Sequence, residues 1–297
     1  MRSTKLKYVH YHLMLLPGFI LLAVFAFYPM TGLQLAFKTF NPVKGVWMSP
    51  WSGFEHFAFL FRNSDSFRVF SNTVIIALMK IVVNLITPIV FALLLNEVRV
   101  RWFKRTVQTI VYLPYFLSWV ILAGMFRDIF SLDGIVNHFL QSLGAEPFMF
   151  LGDSNWFRGI LVGTEAWRDF GFGAIIYLAA ITNINPNLYE AAAIDGATRW
   201  QQLKHVTFPG LTTTIVLLTT LSLQNVLNAG FDQIFNMYNT MVMQKSDIID
   251  TYVYRVGLQQ AQYEMGTALG LFKSVISFAL IILASRLAAK YANYRIF

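Results

Sequence analysis

Glu190 to Pro209 reads EAAAIDGATRWQQLKHVTFP, a polar and charged island between two long apolar runs. Just before it stands Asn185-Pro186. Asn accepts a hydrogen bond from a free backbone N–H at a helix start, and Pro fits the first helical position. A short helix through Leu188, Ala191, Ala192 and Ile194 follows. Asp195-Gly196 breaks it, because Gly tolerates a positive φ. Thr198 is placed to cap a second short helix, and Pro209 marks the entry to the next apolar run. The stretch therefore predicts helix, sharp turn, helix, exposed on one side of a membrane.

Composition demands the membrane. Of 297 residues, 56% are hydrophobic, 16% aromatic and only 13% charged, against about 25% charged in a soluble domain. Apolar runs long enough to cross a bilayer recur along the chain. Spans are expected at about 12–36, 70–95, 107–126 (with Pro114 inside), 157–182, 209–230 and 264–288. The tract 37–69 is polar and aromatic, with Trp47, Trp51, Phe54, Phe57 and Phe61 suited to a membrane–water interface. Gly134 to Leu143 is expected to form a short interfacial helix, and residues 231–263 are again polar and aromatic. The fold class is thus an all-α polytopic membrane protein with about six transmembrane helices and both termini on one side.

Lys and Arg set the orientation. Arg2, Lys5, Lys7, Arg99, Arg101, Lys104, Arg105, Arg199, Lys204, Arg286, Lys290 and Arg295 fall on one side, in short loops and tails. Those on the other side are diluted over long loops with acids. The first side is cytoplasmic, giving N-in and C-in with the island also cytoplasmic. The net charge of +8 is accordingly a topology signal and not a nucleic-acid footprint.

Several chemistries have no residues to perform them. The chain has no cysteine, so disulfides and thiolate chemistry are excluded. It contains no G-x-x-x-x-G-K-[ST], no H-E-x-x-H and no G-x-S-x-G. The histidines His10, His12, His56, His138 and His205 are scattered, so no metal site is expected. No catalytic residue is assigned, and energy has to come from a partner or an ion gradient.

Glu190-Ala191-Ala192, Gly196 and Val206-Thr207-Phe208-Pro209 resemble the EAA loop of ABC importer permeases. The family pattern is EAA, three residues, Gly, nine residues, then Ile-x-Leu-Pro; Val206 and Phe208 depart from it, apolar for apolar. The likeness extends over roughly 70–288, through Asn72-Thr73, Ala92 to Asn96, Tyr112-Leu113-Pro114 and Ser118. Gly171 to Ile181 resembles the carbohydrate-uptake branch related to maltose permeases. Phe231-Asp232-Gln233-Ile234-Phe235 with Tyr238-Asn239 is similar to permeases for oligosaccharides of complex polysaccharides, pectin-type and alginate-type.

The resemblance implies a division into 1–69 (tail, first span and external loop), 70–288 (importer transmembrane domain) and 289–297 (cytoplasmic tail). It implies a bacterial inner-membrane permease importing a carbohydrate, with Glu190, Ala191, Ala192, Asp195, Gly196 and Pro209 in an ATPase-coupling loop. It implies further subunits: a second permease (as a heterodimer), two ATPases carrying ATP and Mg, and an extracytoplasmic solute-binding protein. An ion-coupled secondary transporter of a small polar solute is the alternative; such folds carry internal repeats and matching broken helices, and neither stands out here. A membrane-embedded enzyme would need a catalytic constellation that is missing.

Charges at membrane depth face a cavity or a partner. Lys80, Glu165, Arg168, Asp169 and Lys273 fall within expected spans, with Trp167 beside them. Glu165, Arg168 and Asp169 share a helix face by spacing. Gln224 and Asn228 are expected to share a face of the fifth span. These eight residues either line a sugar path or include structural pairs, Glu165–Arg168 and Asp169–Lys273; both readings stay open. Gly159/Gly163 and Gly266/Gly270 stand at helix-packing spacing, either for a second subunit or for packing within this chain.

Overall fold

Long apolar runs free of paired breakers become long helices, because a helix satisfies its own backbone where water is absent. The computed structural model describes residues 3–224 and 226–292, with side chains described for 11–223 and 226–286. Arg2 and Arg295, counted above toward orientation, lie outside the described residues, as does the end of the 289–297 tail. Regular structure among the described residues is helical, with one isolated antiparallel bridge between Lys38 and Trp51.

The labelled helices are α1 Ser3–Leu22, α2 Glu55–Arg62, α3 Ser64–Glu97, α4 Arg101–Tyr112, α5 Trp119–Ile129, α6 Ile135–Ser142 and α7 Ser154–Thr182. They continue with α8 Pro186–Ile194, α9 (Arg199–Gln202, a π segment Leu203–Thr207, then Phe208–Gln224), α10 Phe231–Met237, α11 Ile249–Val253 and α12 Tyr263–Ala292. α6 is the short helix expected after Gly134.

Among the described residues, four stretches are long and apolar enough to cross a membrane: Tyr11–Phe37, Ser64–Glu97, Arg199–Leu223 and Tyr263–Arg286. A fifth is counted if Arg101–Phe116 and Trp119–Ile129 form one crossing, but they meet at 105°. The third span expected at about 107–126 is thus bent within its length. Its cause is local: Pro114 lacks an N–H, the chain tightens to a 3-10 turn over Leu113–Phe116, and Ser118 restarts the helix by accepting from Ile121 N. α7 has 29 residues, about 43 Å of helix. It exceeds the bilayer's hydrocarbon thickness but carries Arg158, Glu165, Arg168 and Asp169, so it fails the apolar criterion.

The chain divides into two compact units, Met1–Ser64 with Tyr252–Phe272, and Asp65–Thr251 with Lys273–Phe297. In the first, Lys38 is buried and donates to the Val46 and Trp47 carbonyls at 2.9 and 3.0 Å, fixing the turn that leads to α2. Gly257 and Gly266 pack backbone to backbone: a Cβ on Gly266 would lie 2.8 Å from Gly257 Cα. Of the small-residue pairs noted above, Gly266 thus packs within the chain, whereas Gly159 and Gly163 meet nothing within 4 Å.

In the second unit the core is built from Ile76, Leu122, Phe126, Phe157, Leu161, Leu227, Ile234 and Met237, contributed by α3, α5, α7 and the α9–α10 segment. A smaller cluster, Ile89, Ala92, Ala174, Tyr177, Ile181 and Leu211, joins α3, α7 and α9. Close approach is made possible at Gly171, where a Cβ would sit 2.4 Å from Val111 O, so α7 and α4 touch through backbone.

Candidate functional site

Asn185 Oδ1 accepts from Asn187 N at 3.0 Å and Pro186 opens α8, as their chemistry requires. The other end is a Schellman closure: Gly196 N donates to Ala193 O at 3.1 Å and Ala197 N to Ala192 O at 2.9 Å. Gly196 holds φ +77° to make both bonds. Thr198 then forms a capping box, its hydroxyl accepting from Gln201 N while Gln201 Oε1 accepts from Thr198 N at 2.7 Å.

The second helix of the island is not separate. α9 runs unbroken from Arg199 into the apolar run, so Pro209 lies inside a continuous helix and not at its entry. The π segment Leu203–Thr207 provides the reason: the wider turn lets Phe208 N bond to Leu203 O, absorbing a proline one residue later.

The loop is locked to the transmembrane helices at its base. Tyr189 Oη and Thr207 Oγ1 lie 2.9 Å apart, and Gly210 packs against the Ile184 side chain. Arg199 pairs with Glu97 at the end of α3, at 2.6 Å. Glu190, Ala191, Asp195 and Gly196 are exposed and Ala192 half-buried. Ile194 is 87% exposed and Leu188 53%. The arrangement is a short helix with exposed apolar side chains at Leu188 and Ile194, tied at its base to α9, which Arg199 in turn pairs with the end of α3.

The intramembrane charges form a second site. Lys80, 4% exposed, donates to Ala229 O (2.7 Å) and Gln233 Oε1 (2.5 Å) and pairs with Glu165. Glu165 also accepts from Asn84 Nδ2 at 3.2 Å, and Gln233 Nε2 donates to Leu161 O and Thr164 Oγ1. The cluster clamps the chain where it leaves α9: Gly230 adopts φ +88°, and a Cβ there would lie 2.9 Å from Lys80 Nζ. A buried pair of this kind persists because all three ammonium donors find an oxygen and each carboxylate oxygen a donor.

The partners differ from those expected of structural pairs. Glu165 joins Lys80, not Arg168; Asp169 joins Arg168 at 3.4 Å, not Lys273; Lys273 joins Asp250 at 2.5 Å. Lys80–Glu165 and Lys273–Asp250 each join two different elements, whereas Arg168 and Asp169 are neighbours on α7. Arg168 also lies over the Tyr115 and Trp119 rings, 5.4 and 5.2 Å to their centroids. Trp167 points elsewhere, edge-on to Phe126 and 43% exposed.

Beside Arg168 a hollow of about 210 Å³ is lined by Asn84, Pro88, Tyr115, Asp169, Phe172 and Gly173. Tyr115 and Phe172 stack in parallel at 4.0 Å on its wall. Asn84 Oδ1, Asp169 Oδ1 and Arg168 Nε are buried without a hydrogen-bond partner.

Gln224 and Asn228 do not share a helix face: α9 is helical to Gln224, and Asn228 stands beyond it in the irregular stretch before Gly230. The Gln224 side chain lies outside those described. Residues that spacing alone missed are Asn84, Thr164, Gln233 and Tyr115. Gln233 stood in a quoted motif with no role attached, and its partners on α3 and α7 are remote in sequence. Asn72 and Arg158 were likewise unassigned; Arg158 donates to Asn72 Oδ1 at 2.6 Å and to Lys245 O at 2.8 Å.

A profile of binding-protein-dependent transport system inner membrane components matches residues 84–293. The chain belongs to this family. The permease is 39% identical over 287 residues to Protein LplB of Bacillus subtilis (strain 168), covering 96% of this chain and 90% of that one. It is 39% identical over 292 residues to the polygalacturonan/rhamnogalacturonan transport system permease protein YteP of the same organism, covering 98% and 90%. It also matches a chain in the crystal structure of a bacterial alginate ABC transporter in complex with alginate pentasaccharide-bound periplasmic protein, with TM-score 0.91, 36% identity and 100% of both chains covered. The resemblance drawn from the island is thereby borne out, and the secondary-transporter alternative falls. This chain is the transmembrane permease of an ABC importer and not its ATPase.

Proposed function

We propose that this permease carries acidic oligosaccharides, of the pectic or alginate type, into the cytoplasm. The observation that carries the reading is the hollow beside Arg168. Its lining brings the buried Asp169 Oδ1 and Asn84 Oδ1, neither of which accepts a hydrogen bond, against a stacked aromatic wall, and the Arg168 guanidinium pairs with Asp169 and lies over the Tyr115 ring. Sugar hydroxyls donate to carboxylate and amide oxygens, aromatic faces take the apolar face of a pyranose, and a guanidinium suits a uronate carboxylate. The relatives named for polygalacturonan/rhamnogalacturonan and for alginate support the same substrate class.

In this reading Asp169, Arg168 and Asn84 meet the sugar, whereas Lys80 and Glu165 brace the Gly230 segment that borders the path. Trp167, Lys273, Gln224 and Asn228 remain proposed second-rank members of the path. The bilayer is crossed six times, by the four apolar stretches, the bent α4–α5 pair and α7, with both termini and the α8 loop cytoplasmic. A second permease chain, two ATPases holding ATP and Mg, and an external binding protein complete the importer.

The test is transport by the reconstituted importer of oligogalacturonate and alginate oligomers against neutral maltooligosaccharides. Arg168→Gln removes a charge-assisted bond worth about 2 kcal/mol, so uptake of acidic oligomers should fall roughly thirtyfold. Equal uptake of acidic and neutral sugars by the unaltered importer would overturn the proposal.

A further inference from the structure

Three hollows follow one another along α3 toward its C-terminal end. The first, about 420 Å³, lies between α3 and α7 and is walled by Ile86, Val90, Leu94 and Phe170 among others. The second, about 440 Å³, shares Val90 and Leu94 with the first and adds Trp200, Leu203 and Phe208 of α9, with Glu97 and Arg199 at its end. The third, about 280 Å³, shares Glu97, Arg199 and Leu203 with the second and is otherwise polar, with Asn96, Arg99 and Gln202. From Ile86 to Glu97 the helix rises about 16 Å, a reach comparable with that of an extended fatty-acyl chain. Among the described residues of this unit nothing covers the trough: Val90 is 48% exposed, Leu94 65% and Trp200 72%.

We propose that this trough binds one anionic glycerophospholipid of the cytoplasmic leaflet. The surface passes from hydrocarbon to indole to guanidinium in the order in which a phospholipid passes from acyl chain to phosphate. Most of the apolar part belongs to α3 and α9, two stretches long and apolar enough to cross a membrane, so in a membrane it opens toward lipid. Trp200 stands where an indole sits at a membrane interface. The polar end carries two cations, Arg99 and Arg199, against one anion, Glu97, which selects for a negative headgroup. An acyl chain lies along Val90, Leu94 and Phe208, and the phosphate meets the two guanidiniums. The leaflet rests on the orientation proposed above; the binding does not.

The experiment is native mass spectrometry of the full chain, stripped of lipid in detergent and titrated with dioleoyl phosphatidylglycerol or dioleoyl phosphatidylcholine. One phosphatidylglycerol should be retained in preference to phosphatidylcholine. Val90→Trp fills the trough and should abolish retention of that lipid. Glu97→Gln removes the opposing charge and frees Arg199, so it should raise phosphatidylglycerol affinity about fivefold and leave phosphatidylcholine unchanged. A purely structural role for the Glu97–Arg199 pair would not produce that gain. Equal retention of both lipids, untouched by either variant, overturns the proposal. So does a Val90→Trp chain that keeps its lipid but no longer co-purifies with a second permease chain, since the trough would then be a subunit surface. Failure of the orientation would be seen separately, by cysteine labelling.

Discussion

Lys80 illustrates how a single buried charge is made tolerable. Its ammonium has Glu165 for charge and two further oxygens for its remaining protons, and Glu165 in turn has Asn84. Lys80→Met leaves a carboxylate unpaired in the interior, which costs about 3–5 kcal/mol. The purified variant should lose thermal stability in detergent, read as a lower midpoint of aggregation. The double variant Lys80→Met with Glu165→Gln should recover most of it; a double variant as unstable as the single one would show that the pair is not what holds the Gly230 segment. That Lys80 and Glu165 mattered was legible from their depth in apolar runs. Which partner each takes was not, because 85 residues separate them and only the packing of α3 on α7 brings them together.

The α8 loop is the element whose behaviour was most legible. Asn185, Pro186, Gly196 and Thr198 are all local signals, and each acts where local chemistry places it. Pro209 and Pro114 were harder, since a proline in a helical run can end it, kink it or be absorbed. The π segment at Leu203–Thr207 absorbs one, and a 3-10 turn followed by a new cap converts the other into a 105° bend. At this scale the prediction concerns Gly196. Proline there cannot adopt φ +77° and removes the N–H bonded to Ala193 O. Gly196→Pro should insert and assemble, but transport-driven ATP hydrolysis should fall about five- to thirtyfold, as breaking the cap by about 1–2 kcal/mol and misdirecting α8 would require. Wild-type hydrolysis with normal assembly would remove this loop from the coupling path.

For the whole molecule the testable property is orientation. The absence of cysteine lets single cysteines report sidedness without background. Cysteines at Arg101 and Thr198 should be shielded from an impermeant maleimide in intact cells, and cysteines at Val43, Ala145 and Gln244 should react. All five positions are exposed on the folded chain, so shielding reports the membrane and not burial. Ser49 would be a poor probe, since it is 3% exposed and its hydroxyl bonds to Gly45 O. Labelling of Thr198 from outside would invert the topology.

The amino-acid order by itself determined the class, most of the helices and the caps and turn of the α8 loop, because apolar runs, caps and turns are decided within a few residues of chain. It also marked the depth at which charges lie. The tertiary structure alone decided how Arg168 is shared between Asp169 and two aromatic rings, and that Asn84, Tyr115, Asp169 and Phe172 line one hollow. It alone ended α9 before Asn228 and held the following turn with Lys80. The physical reason is the same in each case: a hydrogen bond or ion pair between helices depends on their rotation and offset, which packing of the whole unit sets and no local periodicity records.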